Sequence, residues 1–126
     1  FSSAVVNGKP LLDYPGMTEE ALDEIEAHVR EKGGEIIGKK GATYYGVAMM
    51  LAKIVAAILE NNDLALPLSA PLHGEYGIKD EIYLGTLAII NGQGISHVLE
   101  LPLNDSELAK MQASAATMKA TLDSLE

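Results

Sequence analysis

Tyr44-Tyr45-Gly46-Val47-Ala48-Met49-Met50-Leu51-Ala52-Lys53-Ile54-Val55-Ala56-Ala57-Ile58-Leu59 is the stretch that decides how this chain folds. Fourteen of its sixteen side chains are apolar, and only Gly46 and Lys53 interrupt them. A helix apolar on every side is predicted to be buried rather than laid on a surface. A polar break, Gly38-Lys39-Lys40-Gly41, and a single hydroxyl, Thr43, stand just before it. A buried helix with a polar residue at its mouth is the first place to look for function. Thr43 suits an N-cap for that helix. It equally suits a hydroxyl that meets a small anionic or carbonyl ligand at a helix start, and the two roles are compatible.

Upstream, residues 2 to 6 with Leu11 and Leu12 read as extended around the turn dipeptide Asn7-Gly8. Pro15-Gly16 ends that segment. Thr18 then reads as an N-cap, with Glu19 and Glu20 in the first turn, where the helix dipole favours acids. Met17 and Leu22 have the spacing of a hydrophobic staple. Leu22, Ile25 and Val29 form one apolar stripe, and Asp23, Glu24, Glu26, Arg30 and Glu31 lie away from it, as on a surface helix. Gly33 and Gly34 each weaken that helix by about 1 kcal/mol relative to alanine. Glu35-Ile36-Ile37 can continue it, and Gly38 with Gly41 marks a kink or a restart.

Downstream, the apolar helix runs from about Thr43 to Glu60 and stops at Asn61-Asn62-Asp63. Leu64 to Leu72 is apolar but holds Pro67 and Pro71, which lack amide donors, so it reads as an edge strand or a broken one. His73-Gly74-Glu75-Tyr76-Gly77 reads as a turn and Glu81 to Ile90 as a strand. Asn91-Gly92-Gln93-Gly94 is a hairpin signal, with Ile95 to Leu103 as the returning strand. Asn104 and Glu107 have the spacing of a capping box. Leu108, Met111, Ala115, Met118, Leu122 and Leu125 then repeat every three or four residues, a stripe that needs a partner surface. The order predicts an α+β fold, long helices packed on a small antiparallel sheet, over residues 1–126 as one domain.

Composition narrows the function. The formal net charge is −9, spread along the chain, which argues against nucleic acid and anionic membranes as partners. Cysteine is absent, which removes disulfide and thiol chemistry and fits a reducing, cytoplasmic setting. The longest apolar run, about 16 residues with Lys53 inside it, is short of the roughly 20 a membrane span needs. The chain opens Phe1-Ser2-Ser3-Ala4-Val5-Val6, without Met and inside an expected strand, which suggests a piece of a longer chain.

Chemistry-bearing side chains are scattered. His28, His73 and His97 are isolated, with neither the i, i+4 spacing of a helical metal site nor a cysteine beside them. Glu19-Glu20 and Asp23-Glu24-Glu26 have the spacing of solvated helix faces. Gly38-Lys39-Lys40-Gly41-Ala42-Thr43 has the wrong spacing for a phosphate-binding loop, and Gly92-Gln93-Gly94 belongs to a hairpin. Met49, Met50, Met111 and Met118 read as core filler. Pattern alone therefore shows no self-sufficient catalytic set and no metal site.

Lys40-Gly41-Ala42-Thr43-Tyr44-Tyr45-Gly46-Val47-Ala48 resembles the C-terminal domain of bacterial L-lactate dehydrogenases, in the lactate/malate dehydrogenase family. The likeness extends through Leu72-His73-Gly74-Glu75-Tyr76-Gly77, Asp80-Glu81-Ile82-Tyr83-Leu84-Gly85 and Ala88-Ile89-Ile90-Asn91-Gly92-Gln93-Gly94-Ile95, and reaches Ser114-Ala115-Ala116. The resemblance implies the substrate-binding domain of an enzyme that interconverts L-lactate and pyruvate with NAD. An N-terminal Rossmann domain would bind the cofactor. It implies that the catalytic His, the Asp that orients it and the Arg that clamps the substrate carboxylate all lie upstream of Phe1. Thr43 matches the family's substrate-contacting Thr. Val47 matches an apolar residue near the nicotinamide ring, although its composition suits a plain core residue equally. Gly33 and Gly34 fall where many relatives carry Ala and an aromatic near the substrate's side chain, which implies room for 2-oxo acids larger than pyruvate; a helix kink is the structural alternative. A small 2-oxo or 2-hydroxy acid is the implied ligand and a homo-oligomer the implied assembly. The in-family alternatives are a 2-hydroxyisocaproate or a malate dehydrogenase. From another class, the acidic surface and missing catalytic groups also allow a stand-alone binding or assembly module.

Overall fold

The computed structural model describes residues 1–125, in two compact units, the first Phe1–Lys53 and the second starting at Ile54. The first unit opens with a two-residue ribbon, β1 (Val5–Val6) paired antiparallel with β2 (Lys9–Pro10). Asn7 and Gly8 form its turn with φ of 50° and 79°, the left-handed backbone that an Asn-Gly hairpin turn supplies. The helix α1 (Glu19–Lys40) follows. The hydroxyl of Thr18 accepts the Ala21 N–H at 3.3 Å, so the expected cap is in place. Glu20 sits in the first turn, and its own backbone N–H, then the Thr18 hydroxyl, hold its carboxyl below the usual carboxylate range.

No kink occurs at Gly33, Gly34 or Gly38. The helix passes through all three and ends at Gly41, whose φ of 74° lets its N–H turn back to the Ile37 carbonyl at 2.7 Å. That is the helix stop glycine provides most cheaply. Ion pairs of Glu35 with Lys32 (2.9 Å) and Lys39 (2.5 Å) straddle the glycines and support the helix where propensity is weakest. The Leu22, Ile25, Val29 stripe is partly covered at Leu22 and exposed at Ile25 and Val29.

The helix α2 (Tyr45–Glu60) departs most from expectation. It is helical as its composition requires, but it is not buried. Tyr45 is 72% exposed, Val47 57% and Leu59 79%, while Ala57 is its one buried residue. Only Met50, Ile54 and Ala57, spaced i, i+4, i+7, form a shielded strip. An apolar composition states that a helix needs cover; it does not supply the cover, and the described residues cover one narrow face.

In the second unit, β3 (Leu64–Pro71), β4 (Tyr83–Asn91) and β5 (Gly94–Val98) form an antiparallel sheet in the order β3-β4-β5. β3 is an edge strand, as its prolines require, yet it is unbroken and pairs from Leu64↔Ile90 to Pro71↔Tyr83. Leu84, Thr86, Ala88 and Ile90 alternate onto one buried face of β4. β5 is shorter than the pattern predicts. Its last bond to β4 is the Leu99 N–H to the Leu87 carbonyl (2.8 Å), and Leu101 gives its N–H to a tyrosine hydroxyl instead of a strand. The helix α3 (Asp105–Asp123) starts with the expected capping box between Asn104 and Glu107. Its Leu108, Met111 and Ala115 pack on the cluster of Leu72, Tyr76, Ile78, Ile82 and Leu84. Met118 and Leu122, on the same stripe, lie past that cluster and are exposed.

Candidate functional site

The link from α1 to α2 is short and extended: Gly41, Ala42, Thr43 and Tyr44. Because α1 stops on a left-handed glycine, the chain leaves it sharply and α2 restarts at Tyr45. The corner encloses a cavity of about 150 Å³. Ile36 and Lys40 line it from the last turns of α1, Ala42 and Thr43 from the link, and Tyr44, Tyr45 and Gly46 from the start of α2. The Tyr44 and Tyr45 rings stand 4.9 Å apart, tilted by 48°.

Thr43 is therefore on the wall of a cavity, and it is not the helix cap. The Ala48 N–H donates to the Tyr44 carbonyl, which places Tyr44 at the cap position. Among the described residues, the Thr43 hydroxyl has no hydrogen-bond partner. A hydroxyl with both donor and acceptor capacity open, in a lining to which Lys40 also contributes, is suited to take an anionic or carbonyl oxygen. Sequence reading passed over Lys40, because a lysine in the last turn of a helix is already explained by the helix dipole. Its position four residues after Ile36, on the turn that faces the link, was the available signal.

Val47 lies one turn beyond Thr43 and exposes its side chain beside, rather than inside, the cavity lining. Gly33 and Gly34 are on α1 and outside that lining as well. A Cβ built on either meets nothing within 4 Å, so neither is required by a close approach among the described residues. None of His28, His73 or His97 reaches the Thr43 cavity. No three His, Cys, Asp or Glu side chains converge to hold a metal among the described residues.

A second concavity, about 370 Å³, lies in the second unit between Tyr76, Glu100 and α3. Its polar groups are already used. The Tyr76 N–H donates to Glu100 Oε1 (2.5 Å), Gln112 Nε2 donates to the Tyr76 carbonyl (3.0 Å), and the Tyr76 hydroxyl bridges the Leu99 carbonyl and the Leu101 N–H. This network fastens α3 and the β5–α3 connection to the turn. Next to it, the Glu75 carboxylate accepts the His73 N–H at 2.5 Å. That bond, and then its own N–H, holds the Glu75 carboxyl below the usual range. No single helix among the described residues is long and apolar enough to cross a membrane.

Comparisons with known proteins place the chain in a family. A family model described as lactate/malate dehydrogenase, alpha/beta C-terminal domain, matches residues 1–126. L-lactate dehydrogenase of Lactobacillus delbrueckii subsp. bulgaricus is 95% identical over 125 residues, covering 99% of this chain and 41% of that protein. L-lactate dehydrogenase 2 of Lactobacillus acidophilus is 56% identical, covering 100% and 41%. Among solved structures, minor L-lactate dehydrogenase from Enterococcus mundtii, in its ligands-bound form, superposes with a TM-score of 0.92 at 36% identity, covering 99% and 41%. A malate dehydrogenase from Salinibacter ruber superposes at 0.86 and 30% identity, covering 96% and 39%. The chain thus spans about two fifths of the length of these proteins.

Proposed function

The chain belongs to the lactate/malate dehydrogenase C-terminal domain family, and from that premise we propose that it is the substrate-binding part of an NAD-dependent L-lactate dehydrogenase. The whole enzyme would interconvert L-lactate and pyruvate, with a Rossmann domain preceding these residues. The observation that carries the reading is the uncommitted Thr43 hydroxyl on the wall of a small cavity at the start of an apolar helix. The names of the relatives at 95% and 56% identity favour lactate over malate as substrate.

In this reading the Thr43 hydroxyl donates to an oxygen of the 2-oxo acid and fixes its orientation. Once the rest of the enzyme covers it, the apolar start of α2 would exclude water, which strengthens every polar contact made there. The cofactor, when bound, would supply the hydride to the 2-oxo acid in its reduced form and take it from the 2-hydroxy acid in its oxidised form. The residues present fit only its nicotinamide end. Val47 offers an exposed apolar wall one turn from Thr43, whereas the glycines of this chain are dispersed through α1 and its end, α2, the strands β4 and β5 and the turns, and make no phosphate cradle. The proton-moving His, its Asp and the carboxylate-clamping Arg would come from the part of the protein before Phe1. Gly33 and Gly34 leave open space along α1, which supports tolerance of 2-oxo acids bulkier than pyruvate. The exposed circumference of α2 supports a homo-oligomeric enzyme in which the rest of the protein and a second subunit cover it. A cytoplasmic enzyme of glycolysis is the setting that fits this reading.

Steady-state kinetics on the intact protein test the reading. Thr43→Ser is expected to keep most of kcat/KM for pyruvate. Thr43→Val is expected to lose about 10- to 100-fold, since a hydrogen bond to a charged group contributes roughly 1.5–3 kcal/mol. Residues 1–126 alone are expected to turn nothing over. An intact protein inactive on pyruvate with NADH, or a Thr43→Val variant with unchanged kcat/KM, would sink it.

A further inference from the structure

We propose that Asn7 is a site of spontaneous deamidation in this protein and that the chemically equivalent Asn91 is shielded from it. Both precede glycine, in Asn7-Gly8 and Asn91-Gly92, and both follow a β-branched residue, Val6 and Ile90. Their intrinsic reactivities are therefore alike, and the fold separates them. In the reaction, the glycine's peptide nitrogen gives its proton to solvent base and attacks the asparagine Cγ. The new C–N bond closes a succinimide as the Cγ–Nδ2 bond breaks and ammonia leaves. Water then opens the ring at either carbonyl, to aspartate or isoaspartate. The sum is one water consumed and one ammonia released, with no redox change.

At Asn91 every group this step needs is held. Nδ2, the leaving nitrogen, donates to Asp63 Oδ1 at 2.9 Å, and Oδ1 accepts the Gln93 N–H at 3.0 Å. The attacking nitrogen, Gly92 N, donates to Asn61 Oδ1 at 3.0 Å. Space is closed as well: a Cβ on Gly92 would stand 2.6 Å from Asn61 Oδ1. The carboxamide cannot rotate towards the nitrogen unless this clasp opens.

At Asn7 nothing comparable exists. Its side chain is exposed and, among the described residues, has no hydrogen-bond partner; nothing lies within 4 Å of a Cβ placed on Gly8. The ribbon that carries it pairs only Val5↔Pro10 and Val6↔Lys9, all exposed. It is held at its base by Leu11 N–H to the Ala4 carbonyl (2.8 Å), and beside the turn by the Tyr14 hydroxyl to the Val6 carbonyl (2.9 Å) and by the Lys9 ammonium over the Tyr14 ring (4.8 Å), none of which touches the Asn7 carboxamide. So short a two-stranded ribbon opens at little cost, and the turn then samples the backbone angles that attack requires. Each event adds a negative charge. The isoaspartate product also adds a main-chain methylene inside a two-residue turn, whose register it cannot keep.

The test is incubation of the full-length protein in mildly alkaline native buffer, followed by peptide mapping of amide-to-acid conversion. The same two segments, as unfolded synthetic peptides, serve as reference. The peptides should convert at similar rates. In the native protein Asn7 should convert about tenfold faster than Asn91, the factor expected when one net hydrogen bond must open first. Asn61→Ala and Asp63→Ala should each raise conversion at Asn91 and leave Asn7 unchanged. Equal native rates, an Asn7 that stays amide while its peptide converts, or clasp variants that leave Asn91 as slow as before would each overturn the proposal.

Discussion

Replacing Tyr76 separates two opposing energies at one residue. Its φ of 57° is left-handed, an outlier for a bulky side chain that costs about 1–2 kcal/mol. Against that stand its burial, at 8% exposure in the core cluster, and four hydrogen bonds. Truncating a buried aromatic ring costs about 3–5 kcal/mol. The hydroxyl accepts the Leu101 N–H at 3.0 Å and donates to the Leu99 carbonyl at 3.3 Å, and the first is the better bond by distance. Tyr76→Phe keeps ring and strain and removes the hydroxyl, so it should lose about 1–2 kcal/mol. Tyr76→Gly relieves the strain and loses both ring and hydroxyl, for a net loss of about 3–5 kcal/mol. Urea unfolding of the intact protein, read with amide exchange, should rank the three as Tyr, then Phe, then Gly, with exchange at the Leu101 amide about tenfold faster in Tyr76→Phe. A glycine variant as stable as the parent would show that strain outweighs packing. Unchanged protection of Leu101 in the phenylalanine variant would show that its amide does not depend on the hydroxyl.

Gly34→Ala should stabilise α1 by about 1 kcal/mol, because the helix is continuous there and the new methyl meets nothing within 4 Å; thermal unfolding reads this. In the intact enzyme the same change should shift kcat/KM from longer 2-oxo acids towards pyruvate, and no shift would remove Gly34 from the specificity site. Glu20, Glu35 and Glu75 all have depressed carboxyl pKa values, Glu35 chiefly through Lys39 and then Lys32. A depressed folded-state value means their stabilisation is fully present above the unfolded value of 4.5 and is lost as pH falls through the lower folded values. Unfolding midpoints should therefore drop below pH 4.5, and less steeply in Glu75→Gln; a variant with the parent's slope would count against the His73 N–H contact.

How much was legible depends on how far each feature reaches along the chain. The Thr18 cap, the Asn104–Glu107 capping box and both Asn-Gly turns are contacts within four residues, and their residue types were enough to place them; Gly38 and Gly41 read together as a kink or a restart, and the structure puts the stop at Gly41 alone. The edge position of β3 followed from two missing amide donors at Pro67 and Pro71. The expected kink at Gly33-Gly34 did not form, because glycine lowers helix propensity without forbidding the helix, and the Glu35 pairs with Lys32 and Lys39 lie across the weak point. β5 ended early because the Tyr76 hydroxyl, 25 residues away, takes the Leu101 N–H. No local pattern announces that competition.

By itself, then, the sequence determined the elements, their order, and Thr43 as the polar residue at the head of the apolar helix. Only the tertiary structure decided that the Thr43 hydroxyl stays free, that Lys40 shares its cavity, and that most of α2 stays uncovered. The reason is physical. Caps, turns and strand parity are set by neighbours in sequence, whereas burial and the commitment of a hydroxyl are set by neighbours in space. For α2 the described residues supply such neighbours on one narrow face only.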